Sequence, residues 1–174
     1  MLIDDLKIIV DRNMEMNSLY LRNLLKEVLQ IYTLNFVYTS AYADKFLFKG
    51  GTCLRFCFDL PRLSEDLDFD IKDFSNFSLE KFSRDIKDYF VRKLQFREFD
   101  LRVAGNKREI FLKFPVMDKI GLVSNPAESN ILFLFANTTG HFGPWMKRTK
   151  SNLPKVKPED TTSHEVGRGS SFDF

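Results

Sequence analysis

Three aspartates at alternate positions, Asp66, Asp68 and Asp70, are the residues of this chain best suited to binding a metal ion. Apolar residues separate them, and strict alternation predicts a β-strand with the carboxylates on one face. Residues two apart on a strand lie about 6.5–7 Å apart, so two such carboxylates can converge on Mg²⁺. A water-facing edge strand would show the same alternation. Because aspartate is a poor strand former, three of them favour the metal site.

A second chemically suggestive group lies at residues 49–52, directly after a short apolar run at residues 46–48. A glycine pair such as Gly50 and Gly51 at a helix start exposes backbone N–H groups that attract phosphate. Thr52 adds a hydroxyl that could bind an anion or cap the helix. Taken alone, Gly-Gly-Thr favours an ordinary turn, and Lys49 could be simply solvated. The pattern leaves both interpretations open.

The two cysteines do not indicate a metal centre. Cys53 and Cys57 lie four residues apart and face the same way on the predicted helix. No second Cys or His pair accompanies them, and His141 and His164 lie far along the chain. We therefore predict small core residues, and neither a structural zinc site nor Cys–His catalysis.

The composition is typical of one domain with a sizeable, aromatic-rich core, since 19 of the 174 residues are phenylalanine. The net charge of +2 does not indicate strong bulk attraction to nucleic acid. We find neither a signal peptide nor an apolar run long enough to cross a membrane, which predicts a cytoplasmic protein.

Hydrophobic periodicity predicts helices that position these two groups. Residues 1–15 begin with a segment that could be a first helix, and a long helix follows from Ser18, capped by Asn17 or Ser18. Residues 36–43 either extend it or form another helix. Its apolar stripe has no polar interruption, which indicates core. A further amphipathic helix opens at Ser78.

Later segments complete the expected sheet. Residues 96–103 and 109–116 alternate on either side of the turn signal Gly105-Asn106, which predicts a β-hairpin. Residues 129–135 form one more apolar strand. The order of elements predicts an α+β fold, in which helices pack on one side of a small mixed sheet.

Taken together, K-G-G-T-x-L-R and L-P-R-x-S-E-D-L-D-F-D within residues 49–70 resemble the signature of the AbiEii-type nucleotidyltransferase toxins. These belong to the DNA polymerase β-like nucleotidyltransferase superfamily, whose mark is a glycine–Ser/Thr turn followed by Asp-x-Asp. The resemblance is tight over residues 46–70 and looser over roughly residues 15–135. It implies the nucleotidyltransferase fold.

The resemblance also implies an activity: Mg²⁺-dependent transfer of a nucleoside monophosphate from a nucleoside triphosphate to an acceptor hydroxyl. The acceptor would be RNA, such as the 3′ end of a tRNA, and the chain would be the toxin beside a separately encoded antitoxin. Asp66 and Asp68 would bind Mg²⁺ and be catalytic. The nucleotide-binding residues would be Lys49, Gly50, Gly51, Thr52, Arg62 and Ser64.

Two departures from the family pattern raise an alternative. A third carboxylate is expected on a strand beside the Asp-x-Asp strand, near residue 135, yet residues 135–138 contain none. Glu98 and Asp100 are the candidate substitutes. The family also continues into a helical half, whereas residues 137–174 turn polar and rich in Gly, Pro and Ser.

We therefore expect a nucleotidyltransferase domain at residues 1–136, the N-terminal part of the family fold, with the C-terminal helical half missing. Residues 137–174 would be an atypical, poorly ordered tail. The alternative function is a truncated, catalytically impaired nucleotide-binding domain with a regulatory or interaction role.

Overall fold

Two helices begin at side-chain caps: Asn17, one of the two caps predicted for the long helix, and Ser78, where the sequence predicts a helix start. In the computed structural model, which describes residues 2–73, 76–104, 109–123 and 128–138, the Asn17 side chain accepts the Tyr20 N–H at 2.8 Å. Ser78 Oγ accepts the Lys81 N–H at 3.1 Å. Such caps satisfy N–H groups that have no partner within the helix. The helices are α1 (Leu2–Arg12), α2 (Ser18–Thr39), α3 (Gly50–Phe58) and α4 (Leu79–Asp88), which continues into a π-helical turn, Tyr89–Lys93.

Five strands form one mixed sheet. They are β1 (Phe46–Lys49), β2 (Leu67–Ile71), β3 (Asp100–Ala104), β4 (Glu109–Pro115) and β5 (Asn130–Thr138). Their order is β1-β2-β5-β4-β3, and only the β2–β5 pairing is parallel within the described residues. The predicted α+β fold and the β3–β4 pairing are confirmed. The turn signal Gly105-Asn106 lies outside the described residues.

One face of the sheet packs against the helices through phenylalanine rings, which accounts for the abundance of this residue. Phe69 of β2 stacks on Phe135 of β5 with ring centroids 4.5 Å apart. Phe82 of α4 lies 5.2 Å from both Phe46 and Phe135, measured between ring centroids. Since successive strand residues point to opposite faces, this packing directs the intervening Asp68 and Asp70 to the second face.

The strand that carries the aspartates is interior. β2 lies between β1 and β5, so a water-facing edge strand does not explain its alternation. The alternation predicts a strand from Asp66, but β2 begins at Leu67, so Asp66 comes just before the strand. Asp68 and Asp70 therefore lie on an interior strand, with β1 on one side and β5 on the other.

The expectation that no polar residue interrupts the α2 stripe is wrong. Gln30 and Thr33 are both completely buried among its apolar residues. The Thr33 hydroxyl donates to the Leu29 carbonyl within the same helix at 2.9 Å, whereas Gln30 reaches outside α2. The helix ends at Thr39, so residues 40–43 do not extend it.

The last strand helps to define where the folded domain ends. β5 continues to Thr138, two residues past the expected domain boundary. Residues 139–174 lie outside the described residues, as do both histidines, and with them most of the expected polar tail. Within residues 2–138, apart from three short gaps, every helix is too short or too polar to span a bilayer.

Candidate active site

The turn between β1 and α3 lies against the aspartate strand so closely that only glycine fits. Gly50 has a φ of +75°, and a Cβ atom added to it would lie 2.2 Å from Asp68 Oδ2. A Cβ atom on Gly51 would lie 3.0 Å from Ser64 Oγ. The turn thus needs glycine at position 50 for both its backbone conformation and its close approach. The sequence suggested a helix start here, and α3 begins at Gly50.

Thr52 links this helix to the aspartates. Its side chain is buried, with 1% exposed, and its hydroxyl donates to the Asp66 backbone carbonyl. The hydroxyl is therefore engaged in holding the loop before β2. The first N–H groups of α3 have no partner within the helix and, together with the helix dipole, form an environment that favours an anion.

Asp66 is held from the other side by the last strand. Its Oδ1 accepts the backbone N–H of Leu134 in β5 at 3.0 Å. A carboxylate fixed by one oxygen keeps its second oxygen available as a ligand, because each carboxylate offers two. Thr52 and Leu134 together fix both the main chain and the side chain of this aspartate.

Asp68 lies in a region of concentrated negative charge. Burial raises the pKa of its carboxyl, and the neighbouring Asp66 and Asp70 raise it further, while Lys49 lowers it. The net effect is a pKa above the ordinary aspartate value. A cation beside Asp68 would relieve the repulsion that raises this pKa.

Asp70, the third aspartate, already has its cation. Only 1% of it is exposed, and Lys49 Nζ lies 2.7 Å from its Oδ1. In the antiparallel register Lys49 lies opposite Asp68, so its side chain is on the same face as Asp70 and reaches it diagonally. Lys49, predicted among the nucleotide-binding residues, thus sits beside the site while its ammonium group pairs with Asp70.

A comparison with known protein families agrees with this geometry. The family model for the nucleotidyl transferase AbiEii toxin of type IV toxin–antitoxin systems matches residues 35–124, about half of the chain. The chain belongs to the AbiEii family. The match includes the glycine turn, all three aspartates and the loop between them. No curated protein and no solved structure matches the chain significantly.

The two remaining residues predicted to bind nucleotide, Ser64 and Arg62, divide between the site and the surface. Ser64 is half-buried beside Gly51, so the structure brings it to the glycine turn. Arg62 is exposed on the loop between α3 and β2. The predicted site therefore comes together at Gly50, Gly51, Ser64, Asp66 and Asp68, with Arg62 at its periphery.

The third carboxylate expected from the AbiEii resemblance does not appear at the position the pairing assigns to it. β5 does lie beside β2, as expected, but the residues paired with Asp68 and Asp70 are Ala136 and Thr138. In the part of the chain that the structure describes, no three His, Cys, Asp or Glu residues cluster to hold a metal ion. Asp66 and Asp68 are thus the carboxylates left for one.

Glu98 and Asp100 are not substitutes for that carboxylate. Asp100 lies on β3, at the opposite edge of the sheet, with β4 and β5 between it and β2. At about 4.8 Å per strand, this separation is about 14 Å. Glu98 instead pairs with Lys119 at 2.9 Å. The strand predicted at residues 96–103 begins only at Asp100, so the alternation holds along β3, and Glu98 lies in the turn before it.

Two carboxylates fit one kind of magnesium site. Mg²⁺ commonly binds through one or two carboxylates together with substrate phosphates, rather than in an all-protein cage. Asp66 and Asp68 provide that donor set, and the glycine turn leaves the space beside Asp68 that a Cβ atom would fill. The residues present therefore fit a metal ion that arrives with a nucleotide.

Sequence reasoning missed Gln30, which contacts the site loop from α2. Its Nε2 lies 3.2 Å from the Ser64 carbonyl oxygen and 2.8 Å from that of Glu65. The available signal was a single amide within an apolar helical stripe, which costs free energy when buried unless it is hydrogen-bonded.

Proposed function

We propose that this chain transfers a nucleoside monophosphate from a nucleoside triphosphate to an acceptor hydroxyl, with Mg²⁺ as cofactor. The observation that carries the proposal is the contact between the glycine turn and Asp68, where a Cβ atom on Gly50 would lie 2.2 Å from Oδ2. This contact puts a helix N-terminus, which favours phosphate, directly beside a carboxylate that favours a cation. Membership of the AbiEii family supports the same reaction class.

Each site residue has a role in the proposed mechanism. The backbone of Gly50 and Gly51 receives the triphosphate, with Thr52 holding the turn and Ser64, Arg62 and Lys49 around it. Asp66 and Asp68 hold Mg²⁺, which supplies charge neutralisation on the phosphate oxygens. Leu134 N–H keeps the Asp66 carboxylate oriented during the reaction.

The reaction itself is an in-line displacement. The acceptor oxygen bonds to the α-phosphorus, the bond from that phosphorus to the bridging oxygen breaks, and pyrophosphate leaves with the electron pair. The proton of the acceptor hydroxyl passes to solvent. The chain contributes orientation and electrostatics, which are the main sources of catalysis in phosphoryl transfer.

We infer further that the acceptor is RNA, with the 3′ end of a tRNA as the first candidate, and that the protein works in the cytoplasm. The family is one of toxin–antitoxin systems, which suggests a cognate antitoxin partner. These inferences rest on family membership and not on charge, because residues 1–136 have no excess of basic residues that would attract RNA.

A second candidate is a catalytically impaired nucleotide-binding domain with a regulatory or interaction role. The observation that favours it is the pairing of Asp68 and Asp70 with Ala136 and Thr138, which supplies no third carboxylate. Fewer charges would hold Mg²⁺ less firmly, and this should cost rate more than nucleotide binding.

The deciding experiment is Mg²⁺-dependent transfer of label from each of the four nucleoside triphosphates to bulk RNA. Asp66→Asn and Asp68→Asn test the site, and Asp100→Asn serves as a matched control because it changes an exposed aspartate at the far sheet edge. Nucleotide binding is measured in parallel on the same proteins.

The outcomes separate the two candidates. Label that appears with the wild type and Asp100→Asn, and disappears with the other two variants, supports nucleotidyl transfer. Nucleotide binding without label supports the impaired domain. Neither label nor binding would overturn the assignment of the site.

A further inference from the structure

Three consecutive backbone carbonyls in the loop before β2 each accept a hydrogen bond from a buried side chain. Gln30 Nε2 of α2 donates to the Ser64 and Glu65 carbonyls at 3.2 and 2.8 Å. Thr52 of α3 donates to the Asp66 carbonyl. The loop that carries Ser64 and Asp66 is thus fixed from two different helices.

Gln30 is poorly explained as a core residue. It is completely buried in α2, where leucine or methionine would pack without any polar atom to satisfy. Both of its described hydrogen bonds go to the loop. Its Oε1 is buried, with no hydrogen-bond partner among the described residues. An amide retained under this cost is expected to have a role in what it holds.

We propose that Gln30 is a positioning residue of the active site, acting by fixing the main chain at Ser64 and Glu65 so that Asp66 enters the site in one orientation. The role assigned to Asp66 as a metal ligand rests on the proposed function. The restraint on the loop itself does not, because it follows from the hydrogen bonds alone.

A neighbouring ion pair does not replace this restraint. Lys26 Nζ lies 3.1 Å from Glu65 Oε2, but 80% of the Glu65 side chain is exposed. Exposed ion pairs contribute little, and this one holds a side chain rather than the backbone. Hydrogen bonds made directly to a metal ligand change metal affinity by about 10–100-fold when removed, and Gln30 acts one residue before the proposed ligand Asp66.

The test compares Gln30→Met with Thr33→Val in the full chain. Thr33 is an apt control, because it is equally buried in α2 and donates only within its own helix in the described contacts. A Gln30→Leu variant also removes the donor without burying a charge, in case Gln30→Met does not fold. Each protein is measured at a temperature that lies the same number of degrees below its own Tm.

The first readout is amide hydrogen exchange of the peptide spanning residues 62–68, without metal or nucleotide. We expect exchange about tenfold faster in the Gln30 variants, as for the loss of one or two hydrogen bonds, and unchanged in Thr33→Val. Equal exchange in Gln30→Met and wild type would overturn the proposal.

The second readout is the binding of Mn²⁺ with inorganic triphosphate, measured by calorimetry. We expect the Gln30 variants to bind about tenfold or more weakly, and Thr33→Val to bind like the wild type. If exchange accelerates but binding is unchanged, Gln30 holds the loop without positioning the site, and the proposal fails. If the wild type and Asp66→Asn bind equally poorly, the proposed function fails while the loop restraint stands.

Discussion

Lys49 Nζ lies 2.7 Å from Asp70 Oδ1, joining the last residue of β1 to the penultimate residue of β2. This ion pair explains how Asp68 and Asp70 can alternate along β2 with Asp66 just before the strand. The cation offsets the most deeply buried carboxylate, and Asp66 and Asp68 remain as the pair beside the glycine turn.

Lys49→Met should destabilise the fold strongly, because it removes the cation beside the buried Asp70 carboxylate. Loss of one partner of such a pair costs about 3 kcal/mol in the free energy of unfolding. Urea denaturation at pH 7 measures it. Lys81→Met is the control, since its pair with Asp85 is exposed and should cost less than about 0.5 kcal/mol. Similar losses in the two variants would contradict the prediction.

Gly50→Ala should destabilise the protein more than Gly121→Ala. Both glycines have positive φ values, +75° and +77°, so both substitutions bring a backbone cost of about 1–2 kcal/mol. Only at position 50 does the new Cβ atom also collide with Asp68, whereas nothing lies within 4 Å of it at position 121. Thermal unfolding of the two variants measures the difference, and equal Tm values would show that the close approach is absent.

Thr52→Val should cost about 1–2 kcal/mol in the free energy of unfolding, because the half-buried Asp66 carbonyl loses the donor that the buried Thr52 provides. Thr52→Ser keeps the hydroxyl and should recover most of this loss. Thr39→Val tests a hydroxyl that donates within α2 at an exposed position and should have little effect. Guanidinium denaturation of the three variants provides the comparison; a harmless Thr52→Val would argue against the link between α3 and the aspartate loop.

Asp68→Asn should stabilise the protein at neutral pH. Burial and the neighbouring aspartates raise the pKa of Asp68 in the fold above its ordinary value of 3.8, so the folded state favours the protonated carboxyl. Below pH 3.8 the Asp68 carboxyl is protonated in both the folded and the unfolded chain, and its contribution to the free energy of unfolding is complete. This contribution is lost as the pH rises through the raised pKa of Asp68 in the fold. The advantage of the asparagine variant should therefore shrink as pH falls toward 3.8. Chemical denaturation of both proteins across that range checks the sign, which a constant difference would refute.

Local sequence signals predicted the elements well because their causes are local. Alternation of Asp68 and Phe69 with their neighbours depends only on the strand period, and the Asn17 cap depends on one turn of backbone. The glycine pair likewise marked the start of α3. Each of these features involves residues that are close together in the chain.

Strand order and contacts between elements that are distant in the chain could not be predicted from local signals. Asp100 alternates as Asp68 does, but strand order, which no local pattern encodes, places it at the far edge of the sheet. The partner of Gln30 lies 35 residues away at Glu65, and that of Lys49 lies 21 residues away at Asp70. Such contacts require the register between elements, which a single sequence does not reveal.

The hydrogen bond from Leu134 to Asp66 spans 68 positions of the chain. Contacts of such separation, and parallel strand pairings in particular, form slowly because a long loop must close before they provide any stabilisation. β2 can pair with β1 early, yet Asp66 acquires its restraint only when β5 inserts between β2 and β4. During folding, the carboxylate pair is therefore completed together with the sheet, by the last strand to be synthesised among the described residues.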